Sequence, residues 1–515
     1  MFSSVISASI YGIDAKIVSV ETDVGNGLPS FDMSGYLGTE VKEARDRIKV
    51  AIKNTGIELI PQKIVINISP ADIRKEGTGF DLPMAIGILV SNGYISEDFI
   101  KDTLLIGELS LDGRINPVNG ILSCVCSARD KGLKRCIVPI DNLREGSIFD
   151  DIEVLGAKDL GSVIDYFKGV GDLLRYREDS YTTSDSIRSQ EDAQEDFSDI
   201  KGQLIAKRAT MIAVAGMHNI MYIGPPGSGK TMLAKRIPTI MPDMTREEML
   251  TVTKIYSVAG ELQHNTGLVQ KRPFRSPHHS LTRSAMLGGG RIPKPGEVTL
   301  AGKGVLFLDE MTEFKTDILE SLRQPLEDKE ITIVRLNSAC TYPADFMLAA
   351  AINPCKCGYY PDRSRCFCTE YDIRRYIGKI SNPMWDRFDV CIMVDEVPFK
   401  ELSVEGYQDT SGNCVTSRQM KELIENARQI QQHRFRGDFI NFNSEMSSKD
   451  IKKYCRLGDK EYSLMEKMYH KLKLTARSYN KILKTARTIA DIEGEENITE
   501  QHLSEAMFYR CSEIR

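Results

Sequence analysis

Short apolar runs alternate with stretches of helical period along most of the chain. Residues 64–68, 103–108 and 136–138, then 220–223, 305–308 and 346–352, are runs of the length of buried strands. Between them the apolar residues fall at helical spacing. Residues 80–90, after the break Gly77-Thr78-Gly79, and 121–131 read as helices. Residues 202–215 place Leu204, Ile205, Ala209, Ile212 and Ala215 on or beside one face, with Gly216 as the expected end. Beyond residue 400 the pattern is helical. Residues 480–493 carry Ile482, Leu483, Ala486, Ile489, Ala490 and Ile492 on one face, and Thr499 is placed to cap a closing helix over 500–510. Residues 177–196 hold few apolar side chains, too few to offset the entropy of ordering them, and read as a linker. The pattern therefore predicts an α/β domain over 1–170, a linker over 171–196, a second α/β unit over 197–400 and a helical domain over 401–515.

The run 220–223 leads into Gly224-Pro225-Pro226-Gly227-Ser228-Gly229-Lys230-Thr231, which fits G-x-x-x-x-G-K-[ST], and residues 232–240 read as the start of a helix. Glycines let the backbone approach phosphate. Loop N–H groups and the helix N-terminus favour negative charge. Lys230 is placed to reach the β- and γ-phosphates of ATP, and the Thr231 hydroxyl to sit on Mg²⁺. A glycine-rich turn with a chance lysine does not account for the full spacing in strand–loop–helix context. The run 305–308 ends in Asp309-Glu310, and Asp309 lies 79 positions after Lys230. Carboxylates at the C-terminal end of a buried strand suit a magnesium shell (Asp309) and an oriented attacking water (Glu310). The run 346–352 ends at Asn353, placed to sense the γ-phosphate; its plainer reading is a turn asparagine before Pro354. Met384-Trp385-Asp386-Arg387-Phe388-Asp389 puts an arginine beyond that strand. Such an arginine serves a neighbouring subunit's phosphate, or forms a surface ion pair with Asp386 or Asp389.

Composition narrows the classes. At 515 residues the chain is too long for one core. Apolar content of 41% and charged content of 27% are those of a soluble globular protein, and the formal net charge of −5 excludes a polybasic nucleic-acid binder, so any such contact needs a local patch. No apolar run approaches the ~18 residues that span a bilayer, and no basic segment precedes an apolar one at the start, which argues against a secretory signal. The 12 cysteines are expected in a reducing cytoplasm, where clustered thiols point to metal rather than disulfides.

The N-terminal region resembles the proteolytic domain of Lon-type proteases. The likeness rests on Lys75-Glu76-Gly77 before the apolar helix and on Gly107-Glu108-Leu109-Ser110-Leu111-Asp112-Gly113-Arg114-Ile115-Asn116-Pro117-Val118-Asn119-Gly120-Ile121. Those proteases use a Ser–Lys pair. An ungapped match puts Gly79 at the serine and Leu122 at the lysine. A one-residue shift offers Thr78 as nucleophile but no lysine base, so an interaction or structural role is expected.

The phosphate loop, Asp-Glu strand, sensor asparagine and Asp-Arg-Phe-Asp occur in the order of AAA+ ATPases. Arg272-Pro273-Phe274-Arg275-Ser276-Pro277-His278-His279-Ser280, Gly288-Gly289-Gly290, Pro295-Gly296-Glu297, Leu322-Arg323-Gln324-Pro325-Leu326-Glu327-Asp328 and Asn353-Pro354-Cys355 narrow the match. With them the chain resembles the ComM (YifB) family, magnesium-chelatase-like AAA+ proteins with a Lon-like N-terminal domain. The resemblance implies a P-loop AAA+ module of parallel sheet and flanking helices, with a helical lid. It implies a homohexameric ring hydrolysing ATP with Mg²⁺, a branch-migration helicase on single-stranded or branched DNA in natural transformation, beside recombination proteins and away from membranes. It also implies a second sensor arginine near the lid helix, for which Arg477 is favoured and Arg487 competes. One departure is visible: Ser381-Asn382-Pro383-Met384-Trp385 stands where the family has Ser-Gly-Pro-Leu-Leu. A chelatase-like ATPase remodelling a protein partner remains the alternative, and an ATP-dependent protease a third that the missing Ser–Lys pair disfavours.

Residues 271–291 hold Lys271, Arg272, Arg275, His278, His279, Arg283 and Arg291 with no acidic residue. The five lysine and arginine side chains are candidates to track DNA phosphates, against a solvated loop or a subunit contact. Residues 330–335 and 338–342 flank Leu336-Asn337 as an expected hairpin. It either projects into a ring pore or is structural. Cys355-x-Cys357 and Cys366-x-Cys368 supply four thiolates suited to tetrahedral Zn²⁺, against four reduced thiols in a loop. Cys124 and Cys126 read as core thiols. The tandem His278-His279 has no partner ligands at finger spacing.

Overall fold

The computed structural model describes residues 1–176, 195–262, 266–290, 293–335, 338–397 and 416–510. Of the linker expected over 171–196, residues 177–194 fall outside these residues, while Leu174–Arg175 pair with Leu155 and Gly156 as an edge strand and so extend the N-terminal domain past 170; Arg291, Leu336, Asn337 and the boundary expected near 400 also fall outside.

The N-terminal domain is one mixed sheet. Its strands are β1 (Phe2–Tyr11), β2 (Asp14–Gly25), β3 (Ser30–Ser34), β4 (Lys63–Ser69), β5 (Thr103–Leu105), β6 (Arg135–Pro139), β7 (Glu153–Ala157) and β8 (Leu174–Arg175). Their spatial order is β8-β7-β6-β5-β1-β2-β4-β3. The helices are α1 (Thr39–Asn54), α2 (Asp81–Ser91) and α3 (Ile121–Asp130). The long β1–β2 hairpin pairs Phe2 with Asp23 through to Tyr11 with Asp14. It has no apolar run, because Ser3, Ser7 and Ser9 occupy buried positions. Ser3 satisfies its hydroxyl on the Gly87 carbonyl at 2.8 Å. Every residue of α2 is buried. It lies so close to β2 that a Cβ on Gly87 would stand 2.6 Å from Thr22 Oγ1.

The second unit is built on a five-stranded sheet of β9 (Ile220–Ile223), β10 (Phe274–Arg275), β11 (Val305–Leu308), β14 (Met347–Ile352) and β15 (Val390–Met393). Between β11 and β14 the chain forms the expected hairpin, β12 (Glu330–Arg335) and β13 (Ser338–Pro343). The sheet order is β10-β11-β14-β9-β15, and every pairing is parallel. Strands β9, β11 and β14 are buried at every residue, as sheets covered by helices on both faces require. The helices that matter below are α4 (Leu204–Gly216), α5 (Lys230–Ile240) and α6 (Arg246–Ala259). As expected, α4 ends at Gly216, but the left-handed turn at φ +52 falls on the next residue, Met217. The glycine serves packing instead: a Cβ there would stand 2.3 Å from His218 Nε2 and 2.6 Å from Thr488 Oγ1.

The C-terminal domain is helical, with α7 (Ser417–Arg434), α8 (Ala476–Glu493) and α9 (Glu500–Phe508) as its longer members alongside a helix over Asp459–Lys471. Thr499 caps α9, its hydroxyl accepting from the His502 N–H at 3.4 Å. Helices α4 and α5, the sheet and this lid share one apolar cluster that includes Ile212, Ile237, Phe307, Ile424 and Ile489.

Among the described residues, several bonds tie the N-terminal domain to the ATPase unit, including one from Arg246 to the Ile148 carbonyl at 3.3 Å and one from Lys254 to Asp14 at 2.9 Å. At the start of α3, the Gly120 N–H donates to Ser257 Oγ of α6 at 2.9 Å, and the Leu122 N–H to Glu145 at 2.9 Å. Glu145, itself buried, also accepts from Ser257 and Asn142. At the β1–β2 turn, Tyr11 donates to the Ala339 carbonyl of β13 at 2.6 Å, and Gly12 lies under the Thr341 carbonyl.

Candidate functional site

The C-terminal ends of β9, β11 and β14 open into one cleft, where parallel sheets place their chemistry. It has a volume of about 350 Å³ and is lined by the phosphate loop from Pro226 to Thr231, Asp309, Glu310 and Asn353. Gly224 admits no side chain, since a Cβ would stand 2.1 Å from the Val394 carbonyl oxygen. Gly227 and Gly229 take φ of +78° and +90° and leave open space toward the cleft. The loop is therefore shaped by its glycines before anything binds. Ser228 Oγ is buried with no hydrogen-bond partner among the described residues, an orphan polar atom in the cradle.

Lys230 opens α5 and is 8% exposed. Its ammonium donates to the carbonyls of Gly224 at 2.8 Å and Pro225 at 2.7 Å, and to Asn353 Oδ1 at 3.3 Å. Burial lowers its pKa, against the opposing pull of Asp309 and Glu310. Thr231 donates to Asp309 Oδ2 at 2.9 Å. Glu310 sits at φ +49, an unusual conformation for a non-glycine residue, and its N–H donates to Asp309 Oδ1 at 3.0 Å. The strand ends so bring together an ammonium, a hydroxyl–carboxylate pair, a second carboxylate that is exposed and a side-chain amide. This donor set fits a nucleoside triphosphate with its magnesium.

Arg387 and Arg477 do not line this cleft. They line a second cavity of about 440 Å³ together with Lys329, Lys481 and Lys484. The Arg387 side chain is 6% exposed and pairs with Glu327, while its Nε and Nη1 have no partner among the described residues. Arg477 donates to the same Glu327 oxygen at 3.2 Å. The ion pair of Arg387 is thus with Glu327, sixty positions earlier in the chain. Asp389 is held by Lys481 at 2.9 Å and lies 3.6 Å from His218. Burial alone would raise its pKa, but Lys481 and His218 hold it well below the usual carboxylate range. Arg487, the competing sensor, is 3% exposed and spent inside the lid on Asp491 and the carbonyls of Glu495 and Glu496.

Sequence reasoning missed Asn219, Gln203 and Glu327. Asn219 donates to the Arg387 carbonyl at 3.0 Å and accepts from the Leu348 N–H at 2.9 Å, so it ties the arginine loop to the sheet. Gln203 donates to the carbonyls of Ser228 at 3.3 Å and Asp395 at 2.5 Å, bracing the back of the phosphate loop. Their side chains are ordinary turn and surface types with no local pattern to single them out. Glu327 lies in a quoted motif, but its role depends on which arginines the fold brings to it.

The four cysteines converge. Cys355 Sγ lies 3.2 Å from Cys357 and 3.7 Å from Cys366, Cys357 lies 3.5 Å from Cys366, and all four sulfurs, Cys368 included, lie within 4.8 Å of one another. A tetrahedron with Zn–S bonds of about 2.3 Å has edges of about 3.8 Å, so the donor set fits. Burial opposes ionisation of Cys357, but the Tyr359 N–H and the neighbouring thiols bring its pKa down to about 6, while burial pushes Cys366 up to about 12. Cys124 is buried and Cys126 half-buried, both unpaired by disulfide. The rings of His278 and His279 lie against each other, tilted by 34° with centroids 4.1 Å apart, and His278 bonds Ser280.

The basic stretch is less available than its sequence suggests. Arg272 donates to the carbonyls of Pro242 and Lys303 and pairs with Glu248 at 3.1 Å. Arg275 makes a two-pronged pair with Glu297 and a third bond to Glu261 at 2.9 Å. Acidic partners elsewhere in the unit thus engage both arginines inside the protein, leaving them less available to a phosphate backbone. Lys271 and Arg283 are exposed. In the Lon-like domain, Leu122 is fully buried in an apolar cluster, and a Cβ on Gly79 would stand 3.0 Å from Ile106. Thr78 donates to Glu108 and has no lysine hydrogen-bonded to it among the described residues. No helix among the described residues is long and apolar enough to cross a membrane.

Comparison with known proteins agrees with this geometry throughout the chain. Residues 196–402 match the family described as magnesium chelatase, subunit ChlI; residues 20–142 match subunit ChlI of Mg-chelatase; and residues 415–510 match the C-terminal part of that subunit. Competence protein ComM of Haemophilus influenzae is 39% identical over 98% of this chain and 97% of its own. The YifB protein of Escherichia coli, uncharacterised, is 38% identical over 97% of this chain and 95% of its own. Lon protease 4 of Sorangium cellulosum is 26% identical over 30% of this chain and 20% of its own. With its G-x-x-x-x-G-K-T loop, Asp-Glu strand and strand-end asparagine in one cleft of a parallel sheet, the chain belongs to the ComM (YifB) family of magnesium-chelatase-like AAA+ ATPases with a Lon-protease-like N-terminal domain.

Proposed function

We propose that the protein is a ring-forming motor, a homohexamer, that hydrolyses ATP to drive branch migration of DNA. The observation that carries the ATP half is the single cleft holding Lys230, Thr231, Asp309, Glu310 and Asn353. Lys230 and the loop N–H groups bind the β- and γ-phosphates. Thr231 and Asp309 would hold Mg²⁺, which would neutralise phosphate charge. Glu310 orients the attacking water, and Asn353 fixes the γ-phosphate from the side. Arg387 and Arg477 line a different cavity from this cleft and are offered to the neighbouring subunit's γ-phosphate, so hydrolysis requires assembly. Zn²⁺ held by Cys355, Cys357, Cys366 and Cys368 is a structural metal, and the free buried thiols suit a cytoplasmic protein.

The DNA half is supported by full-length similarity to a protein named for competence. Lys271, Arg283 and the β12–β13 hairpin, with Val334 70% exposed near its tip, form the surface assigned to single-stranded or branched DNA. Recombination proteins are its expected company in transformation. ATPase turnover measured with and without single-stranded DNA tests the reading. Binding at modest salt with stimulated turnover is expected. Absence of both, in a protein that still hydrolyses ATP, replaces DNA with a protein substrate worked through the N-terminal domain.

A further inference from the structure

We propose that the four-cysteine site is a clamp on the phosphate loop, so that Zn²⁺ and ATP each tighten the hold of the other. The proposal rests on the zinc and ATP readings above. Three contacts carry it. First, the cluster grows directly out of the catalytic strand: β14 ends at Ile352, Asn353 lines the cleft, and Cys355 follows after one proline. Cys355 is fully buried in the same apolar cluster as Ile223, Leu308 and Ile352, so the first ligand is anchored in the strands that carry the site. Second, the turn after Cys357 lies on the phosphate loop. Gly358 has φ +88, and a Cβ there would stand 2.6 Å from Pro226 Cδ and 3.3 Å from its Cγ. Pro226 itself lines the nucleotide cleft. Third, the loop reaches the other side of the cradle. Arg365 stacks on Tyr359 at 3.9 Å and pairs with Glu396 at 2.8 Å. Glu396 adjoins the segment whose Val394 carbonyl backs Gly224 and whose Asp395 carbonyl shares Gln203 with Ser228.

The physical cause of the coupling is the need for a cation. Without an ion the four sulfurs, all within 4.8 Å, are joined only by weak thiol contacts of 3.2–3.7 Å, which hold the two ends of the loop together far less firmly than four metal–sulfur bonds do. A tetrahedral ion fixes the four together and so fixes Gly358 against Pro226. Without it the loop is free to relax, and Pro226 loses its backing. Linkage requires the effect to be mutual: whatever factor Zn²⁺ adds to ATP affinity, ATP adds to Zn²⁺ affinity.

The full-length protein loaded with one equivalent of Zn²⁺ is mixed with a chromophoric chelator, with and without a non-hydrolysable ATP analogue and Mg²⁺. The expected result is zinc held about tenfold more tightly against the chelator at equilibrium when the nucleotide is present, within the usual range of coupling. Binding of a fluorescent ATP analogue to stripped protein should weaken about tenfold and recover on adding Zn²⁺ alone. Because a cysteine variant could simply misfold, Gly358→Ala provides the second arm. It should keep one equivalent of zinc by metal analysis and bind the analogue at least fivefold more weakly. If zinc is never retained at one equivalent, the site is not a metal site and the proposal falls. If zinc is retained, its affinity ignores nucleotide and Gly358→Ala binds the analogue as wild type does, the coupling is wrong while the ATP reading stands. If zinc-loaded wild type binds no analogue, the ATP reading itself has failed.

Discussion

Glu310 combines a projecting carboxylate with a left-handed backbone at φ +49. Backbone strain of this kind costs on the order of 1–3 kcal/mol and persists where its surroundings impose it. Glu310→Gln removes the group that orients water while leaving Lys230, Thr231 and Asp309 in place. It should bind ATP normally and lower turnover about 10²- to 10⁴-fold, as loss of a general base does. Nucleotide retention and single-turnover rates check this, and fast turnover removes Glu310 from the role. Gly224 makes a different demand. A Cβ would meet the Val394 carbonyl at 2.1 Å, so Gly224→Ala should cost about 1–3 kcal/mol by overpacking and lower Tm in a thermal melt of the nucleotide-free protein. Both residues were legible from the sequence, because a phosphate loop and a strand-ending Asp-Glu pair are local patterns. The choice between Arg477 and Arg487 was not. Both lie on α8, and only the fold buries Arg487 against Asp491 while leaving Arg477 on a cavity.

At the scale of elements, Asp389 joins the entrance of β15 to lid helix α8 through Lys481 and lies beside His218 at the end of α4. An unfolded aspartate titrates near 3.9, and in the fold this carboxyl titrates lower. The pair's stabilisation is therefore complete above about pH 4 and is lost as pH falls through the lower, folded-state pKa. Asp389→Asn should destabilise by about 3 kcal/mol at pH 7, because it leaves Lys481 uncompensated in a largely buried place. The same variant should lose less than wild type on acidification below pH 4. Denaturant melts at several pH values measure both. The β1–β2 hairpin marks the limit of reading elements from apolar runs. Serines fill its inward positions and are satisfied by contacts such as Ser3 with Gly87, which appear only once α2 lies across the sheet. The apolar strands β9, β11 and β14, by contrast, were visible as runs, because a parallel sheet covered on both faces leaves no polar alternation.

For the whole molecule, the decisive point is that the two arginines and the phosphate cleft line separate cavities. Mixing Arg387→Ala subunits with Lys230→Ala subunits should restore part of the ATPase activity that neither has alone, since each supplies what the other lacks. Turnover across mixing ratios tests this, and a flat, inactive titration argues against action between subunits. The two domains are also braced internally. Ser257 of α6 serves both the Gly120 N–H and the buried Glu145 carboxylate. Ser257→Ala should leave these groups short of a partner and cost about 1–3 kcal/mol, read as an earlier unfolding transition.

What the sequence determined by itself is the local chemistry: a loop that must take phosphate, strands that must be buried, carboxylates and an amide at strand ends, and four thiols within one short segment. Each depends on spacing along a few residues of backbone, so it survives without knowledge of the fold. Tertiary structure decided which charges are spent. Arg272 and Arg275 read as a basic surface until Glu248, Glu261 and Glu297, elsewhere in the unit, fold against them. It also decided that Arg387 and Arg477 share Glu327 outside the cleft, and that Gly358 rests on Pro226. A charge or a turn acts through whatever lies within a few ångströms, and for these residues those neighbours come from distant parts of the chain.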